Sequence, residues 1–344
     1  MVDGKIYAVP YSFQMDCLAF RSSLLEETDL AGTAVPGTFP EFLDFVEKWL
    51  EFLQQHPDTD VALLGESYWG DASFYKKNSY TAFLVDQLLN GYMMQLEYAH
   101  ESTQFDQAAL VPLLERCQTL GQKLYKLDKG VRGSQSLIDI SAPTLFPTDG
   151  TPLFFKLSAD QPNLISTRMV LCAVYADAQE PQLCIELLES ICQNFEPNKD
   201  SLQPEQNTLL YQNTQPLLNP FYEESLNTLY KVIQNTKDLL AANPNAATRA
   251  QLEDRLSRQE ANLQKLLDNP ESQYLVSQKD LDTFNAYVDC LLVRSPSIFH
   301  PNDYESANTF KQLKAKFSNG VISANELVES LNNLAWMIEA EQGK

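Results

Sequence analysis

The stretch "GESYWGDASFY" places two adjacent aromatic residues, Tyr68 and Trp69, between the carboxylates of Glu66 and Asp71 in a segment bounded by glycines. Flat aromatic faces stack on the apolar side of a pyranose ring, and neighbouring carboxylates accept hydrogen bonds from its hydroxyls. That mixture suits a neutral, polyhydroxylated ligand. The alternative is that one of the two rings plugs a core beneath the loop.

Other chemistries leave fainter traces. Two carboxyl groups flanking a sugar bond suffice for hydrolysis, and Glu66, Asp71, Glu97 and Asp149 all fall near predicted loops. Carboxylate pairs obey no sequence spacing, however, and an acidic chain puts one in almost any loop. No G-x-S-x-G, phosphate-cradling glycine loop or G-x-G-x-x-G occurs among the twelve glycines, so a non-enzymatic protein without a cofactor is expected. His56, His100 and His300 stand far apart in turn-like settings, and the six cysteines form no C-x-x-C. No metal site is predicted, and the cysteines read mostly as buried apolar fillers.

The elements that must position these residues are mainly helices. In "PGTFPEFLDFVEKWLEFLQQHPD", Thr38 is the N-cap and Glu41 closes a capping box. Phe42, Phe45, Val46, Trp49 and Leu50 then share one face until His56-Pro57. "TDVALLG" predicts a short buried strand leading into the aromatic segment. Helices are predicted over about 79–97, 106–127 and 180–195. Between 137 and 176 the short runs "SLIDI", "TLFP", "LFFKL" and "VLCAVY" predict strands. Two helical patterns, Ser225 to about Ala241 and about Ala247 to Leu267, flank "NPNAA" as an antiparallel hairpin. It either zips only on itself or offers a partner-binding arm. Capping boxes at Ser277/Asp280 and Ser323/Glu326 open two later helices, with another near 303–317. Trp336 and Met337 are expected to pack at the edge of the last core stripe.

With 344 residues, 44% of them hydrophobic, the chain can bury a large core, and its length favours two compact bodies. No run approaches the roughly 18 apolar residues of a membrane span. Forty-six acidic against 25 basic residues give a net charge of −21, a field that repels nucleic acid and anionic lipid. The start, "DGKIYAVPYSF", reads as the second arm of a hairpin with Pro10 in the middle of its strand.

Four stretches together resemble one family. "DGKIYAVPYSFQMDCLAFRSSLLEE", Pro36 with "TFPEFLDFVEKW", "FDQAALVPLLE" and "FSNGVISANELVESLNNLAWMIEAE" are similar, in order and spacing, to extracellular solute-binding proteins of carbohydrate ABC transporters. Phe39 and Pro40 stand where that family usually has Trp and an acid. The resemblance implies an α/β, helix-rich, two-lobe type II periplasmic-binding-protein fold. Residues 1–13 and 170–213 would be the remnant of an incomplete N-terminal lobe. Residues 14–169 and 214–344 would form the C-terminal lobe, with the helical hairpin 225–270 as an insertion. It further implies strands crossing between lobes at "YAVPYSF", at Met169 to Ala173 and at "NTQPLLNP".

The implied function is capture of a sugar or other small polar solute between lobes, and delivery to an ABC transporter permease by an extracellular monomer. That monomer would be tethered to the membrane through a lipid anchor upstream of Asp3. On matching positions Gln14 and Asp16 would contact ligand and Tyr68 would stack on it. Glu66, Trp69 and Asp71 join on their chemistry, and Tyr222 follows the third crossing. An incomplete lobe would leave the apolar side of helix 180–195 exposed and ligand affinity weak. The competing reading is a helical adaptor that holds a protein through 225–270.

Overall fold

A computed structural model describes residues 8–26, 28–64, 78–128, 135–141, 150–173, 180, 182–186, 215–242, 245–293 and 304–341; for 8–16, 140–141, 168–173, 246–247, 265, 293, 304–306 and 341 it describes the backbone alone. The chain divides into two compact units, Met1–Ala173 with Tyr287–Lys344, and Val174–Ala286.

In the first unit the β-favouring run at the start continues well past Phe13. β1 spans Ala8–Arg21, and Pro10 interrupts only its register. β2 (Val61–Leu64), β3 (Gln135–Ser141), β4 (Gly150–Leu153), β5 (Ile165–Ala173) and β8 (Leu291–Val293) complete a sheet of order β2-β3-β1-β5-β8, with β4 also on β1. β1 is antiparallel to β3, β4 and β5, while β2 is parallel to β3 and β5 to β8. Five strands therefore share one direction and β1 runs against them. The result is a helix-rich α/β architecture on a mixed sheet.

The expected lobe borders, between 13 and 14 and between 169 and 170, fall inside β1 and β5. "TLFP" lies outside the described residues. "LFFKL" does not continue as a strand: β4 ends at Leu153, and the Lys156 carbonyl turns away to accept the Phe39 amide at 2.7 Å.

Helix α1 (Phe39–Gln55) starts as its sequence dictates. Glu41 N–H donates to Thr38 Oγ1 at 3.3 Å, and Thr38 N–H donates back to Glu41 Oε2 at 3.1 Å. Such a box satisfies amides that the first turn leaves without partners. Its apolar face fills the core, with Phe45 edge-on to Phe20 of β1 at 5.0 Å and Phe42 edge-on to Phe155 at 5.2 Å. Helices α2 (Ser79–Ala99), α3 (Gln107–Leu127), α7 (Tyr304–Ser318) and α8 (Ala324–Glu341) surround the same core. Arg116 of α3 ties to α1 through Asp44 at 2.7 Å and Glu47 at 2.9 Å.

The buried edge of β2 is closed by a carboxylate: Leu63 N–H donates to the buried Asp128 at 2.8 Å. The expected packing of Trp336 and Met337 does not occur. They are 70% and 51% exposed, while the core stripe of α8 runs, as its sequence pattern has it, through Leu327, Leu331, Leu334, Ala335 and Ile338. Of the described cysteines only Cys117 is fully buried; Cys17, Cys184 and Cys290 are half-buried, so the filler role holds for one of four.

The second unit contains β6 (Leu217–Leu218) paired with β7 (Tyr274–Val276), helices α4 (Tyr222–Ala241) and α5 (Ala246–Asp268), and α6 (Gln278–Tyr287) at its border. α4 and α5 form the predicted hairpin, and the Thr236 hydroxyl meets Gln259 at 3.0 Å in its seam. Residues 182–186 are helical, and Leu183 and Ile185 on them are exposed at 62% and 41%. The remainder of helix 180–195 lies outside the described residues.

Two helix contacts in the first unit require the absence of a side chain. A Cβ at Gly91 would overlap the Phe155 carbonyl, and one at Gly121 would overlap Thr81 of α2. Gly91→Ala and Gly121→Ala should each cost about 1–3 kcal/mol by overpacking, whereas Gly37→Ala, whose Cβ would stand 3.4 Å from Glu41 Oε2, should stay within about 0.5 kcal/mol. Urea denaturation of the three variants decides this, and equal midpoints would refute the close-packing argument.

Two helix ends close alike with different residues. After α7, Gly320 takes φ +70°, and after α2, His100 takes φ 56° with Glu101 N–H donating to Leu96 O at 3.0 Å. A residue with a Cβ is disfavoured in that region by roughly 1–2 kcal/mol. His100→Gly should therefore raise the thermal midpoint by a few degrees, and Gly320→Ala should lower it.

Candidate functional site

The parallel pair β2/β3 sets the direction of the candidate site. Leu64 is paired with Ile138, and the chain leaves β2 into residues 65–77. β1 passes the end of β3 at the Cys17–Ser141 pair and continues toward Asp16 and Gln14, whose backbones pair with Ser166 and Arg168 of β5. The backbone positions of Gln14 and Asp16 and the exit of β2 thus lie toward the same end of the sheet, where the strands sharing one direction have their carboxyl ends. In open α/β sheets that end is where ligands are bound.

Glu66, Tyr68, Trp69 and Asp71 lie outside the described residues. Tyr222 is the first residue of α4 in the second unit, half-buried, with its N–H donated to Asn219 O at 3.2 Å. The described structure places Gln14 and Asp16 two residues apart on one strand and does not relate them to Tyr222.

Among the described residues of the first unit, two open grooves bear on the site. One, about 800 Å³, is lined by Leu24, Asp29, His56, Asp60, Val61 and Gln135 among others. Val61 and Gln135 begin β2 and β3, so this groove sits at the amino ends of the strands, opposite the candidate site. Within it His56 Nε2 lies 3.0 Å from Asp29 Oδ2, and its ring packs 4.6 Å from that of Phe52. Among the described residues no cluster of three metal-ligating side chains exists.

The second groove, about 690 Å³, is formed between the end of α2, residues 101–107 and α8. Sequence reasoning gave no sign of it. Its floor is a network of local hydrogen bonds. Tyr92 Oη donates to Gln104 O at 2.9 Å and accepts from Asp106 N–H at 3.1 Å. Asn332 of α8 accepts from Phe105 N–H at 2.7 Å and donates to Phe105 O at 2.9 Å, as a paired strand would. The Tyr92 and Phe105 rings stack at 5.8 Å.

Burial pushes the Tyr92 hydroxyl above its ordinary 10.0, the Asp106 amide pulls it back, and the Asp106 and Glu101 carboxylates raise it further. Burial likewise pushes the Cys117 thiol far up, which makes it inert. At Arg116 burial opposes the charge, but Asp44 and Glu47 hold it above the usual guanidinium value.

No protein-family model and no curated protein matches the sequence. Among solved structures, one titled "Chitin oligosaccharide binding protein" aligns over 99% of this chain and 73% of its own, with 16% sequence identity and a TM-score of 0.42.

The fold holds Tyr92 neutral, so the stability it contributes is fully present below pH 10 and is lost as the pH rises through the folded-state value. Denaturation midpoints of the wild type and Tyr92→Phe, measured from pH 8 upward, should show the wild type losing its advantage only above about pH 10. A constant difference across that range would remove the proton from the account.

Proposed function

We propose that this protein is a solute-binding module of the type II periplasmic-binding-protein class. It would hold a saccharide between two α/β lobes and present it, outside the cell, to an ABC transporter permease, without chemical turnover. The observation that carries this reading is the length of the β1/β5 ladder. β3 and β4 cover β1 only from Cys17 to Arg21, and β8 covers β5 only from Ile165 to Thr167. The β1/β5 pairing nevertheless continues through Ala8–Ala173. Among the described residues, that leaves a two-stranded ribbon of about 20 Å running on from the sheet. A ribbon of two strands is marginal alone in water. Strands that pass from one lobe to another in a hinged binder have this form.

Irregularity falls where a hinge would need it. The register slips between Pro10 and Ser12, and proline donates nothing to a ladder. The end of the sheet from which this ribbon departs is the end that Gln14, Asp16 and the exit of β2 share. The sequence that follows the exit of β2 includes Glu66, Tyr68, Trp69 and Asp71, the groups that would recognise the saccharide. Among the described helices none is long and apolar enough to cross a membrane, so the permease would supply the membrane path.

The adaptor reading draws on Tyr230, Leu239 and Leu267 of the hairpin, which are exposed at 49%, 54% and 45%. Against it, Ile233 and Thr236 are buried in the hairpin's own seam.

The test is a titration with neutral oligosaccharides, followed by tryptophan fluorescence and by analysis of the sugars afterwards. The expected result is a saturable response without cleavage, weakened about tenfold or more by Tyr68→Ala or Trp69→Ala, and unchanged when residues 225–270 are replaced by a short turn. Release of shorter sugars would identify a hydrolase. Absence of any response in a folded protein that loses a protein partner with its hairpin would identify the adaptor.

A further inference from the structure

The chain contains two Asn-Gly pairs, Asn90-Gly91 and Asn319-Gly320, and the fold treats them oppositely. In such a pair the glycine, having no Cβ, lets its backbone nitrogen approach the asparagine Cγ closely enough to close a succinimide ring. Gly91 is buried within α2, with the Phe155 carbonyl where a Cβ would be. Ring closure there would require the middle of α2 to open and its packing on Phe155 to part.

Asn319 and Gly320 are exposed just past the end of α7. Gly320, at φ +70°, closes that helix: its N–H donates to Phe317 O at 2.8 Å, and Val321 N–H donates to Lys316 O at 2.8 Å. The Asn319 carboxamide is held as well, because Asn78 Nδ2 donates to its Oδ1 at 2.6 Å. Asn78 is the N-cap residue of α2, yet its side chain makes no capping bond to that helix. The glycine nitrogen and the asparagine carbonyl are thus each tied by a hydrogen bond at a helix end, where local opening costs least.

We infer that Asn319 is the site at which this chain modifies itself by deamidation, and that Asn78 sets the pace. When the turn opens, the Gly320 amide gives its proton to solvent, its nitrogen bonds to Asn319 Cγ, and the carboxamide nitrogen leaves as ammonia. Water then opens the ring at one of its two carbonyls and leaves aspartate or isoaspartate. Water is the only co-reactant. Either product puts a new negative charge at the carboxyl end of α7, where the helix dipole is already negative. Isoaspartate also lengthens the backbone by a methylene, which draws Gly320 and Val321 off the Phe317 and Lys316 carbonyls. The helix end then loosens from α3, to which Gln118 ties it by donating from Nε2 to Phe317 O at 3.3 Å.

The inference does not depend on the proposed transport role. To test it, the intact protein is aged in mildly alkaline buffer and digested, and each Asn-Gly peptide is read by its mass and by isoaspartate-specific methylation. Asn319 should convert about tenfold or more faster than Asn90. In concentrated urea, which removes the fold, the two should convert at similar rates. Asn78→Ala should speed conversion of Asn319 severalfold and leave Asn90 as it was. Because the Asn78 side chain caps nothing in α2, that replacement should leave the helix in place, and Asn90 serves as the internal control: general loosening would speed both sites.

Equal rates at the two sites in the folded protein, or a faster Asn90, overturn the inference. So does a difference that persists in urea, since the order would then come from neighbouring residues and not from the fold. An Asn319 rate that Asn78→Ala leaves unchanged, or raises only together with that of Asn90, refutes the role given to Asn78.

Discussion

The first unit depends on β1 being a strand that must be paired along both edges. Leu18, Ala19 and Phe20 are consecutive and all buried, and consecutive residues of a strand point to opposite faces. Both faces of the sheet are therefore covered at this point, and no water reaches the backbone between them. Each amide and carbonyl there needs a partner. β3 supplies them on one edge and β4 on the other, in registers that overlap at Leu18, Ala19 and Phe20. Because β4 is short, β5 takes over the same edge from Asp16 backwards, and residues 154–164 leave the sheet between the two.

That excursion organises the helices. Phe155 sits within it, against Phe39 and Phe42 of α1, and its carbonyl lies where a side chain of α2 would otherwise be. Gly91 makes the approach feasible, as Gly121 does between α2 and α3. Interiors packed at crystal-like density allow such contacts only where a Cβ is missing. The outer helices add polar ties at the margins: Lys314 of α7 pairs with Asp86 of α2 and lies 4.6 Å over the Phe310 ring, and Asn332 holds α8 to Phe105. These ties fix the position of elements whose burial supplies most of the stability.

What the sequence made legible was local. Thr38 with Glu41, Ser277 with Asp280 and Ser323 with Glu326 each announce a helix, and each forms its reciprocal hydrogen bonds. The hairpin around residues 243–245 follows from the same kind of signal. What escaped depended on partners far along the chain. Nothing near Phe154 shows that the Lys156 carbonyl will accept an amide from Phe39, so the local pattern reads as a strand that runs on. Nothing near Trp336 shows whether another element covers the edge of the α8 stripe on which it sits. The candidate residues split in the same way: Gln14 and Asp16 fall on a strand whose direction the topology fixes, whereas the relation of either to Tyr222 would need the arrangement of two units.

Charge pairing bears on what the proposed cleft would take. Among the described residues, Arg21, Arg116, Lys237, Arg258, Lys279 and Lys314 each face a carboxylate partner. A cation already engaged with a carboxylate offers an anionic ligand little, because binding would have to break the pair and leave the carboxylate beside the newcomer. The excess of 21 negative charges supplies no compensating field. Neutral solutes avoid this cost, and their recognition falls to rings, amides and carboxylates. The stretch 66–71 concentrates those groups in the sequence.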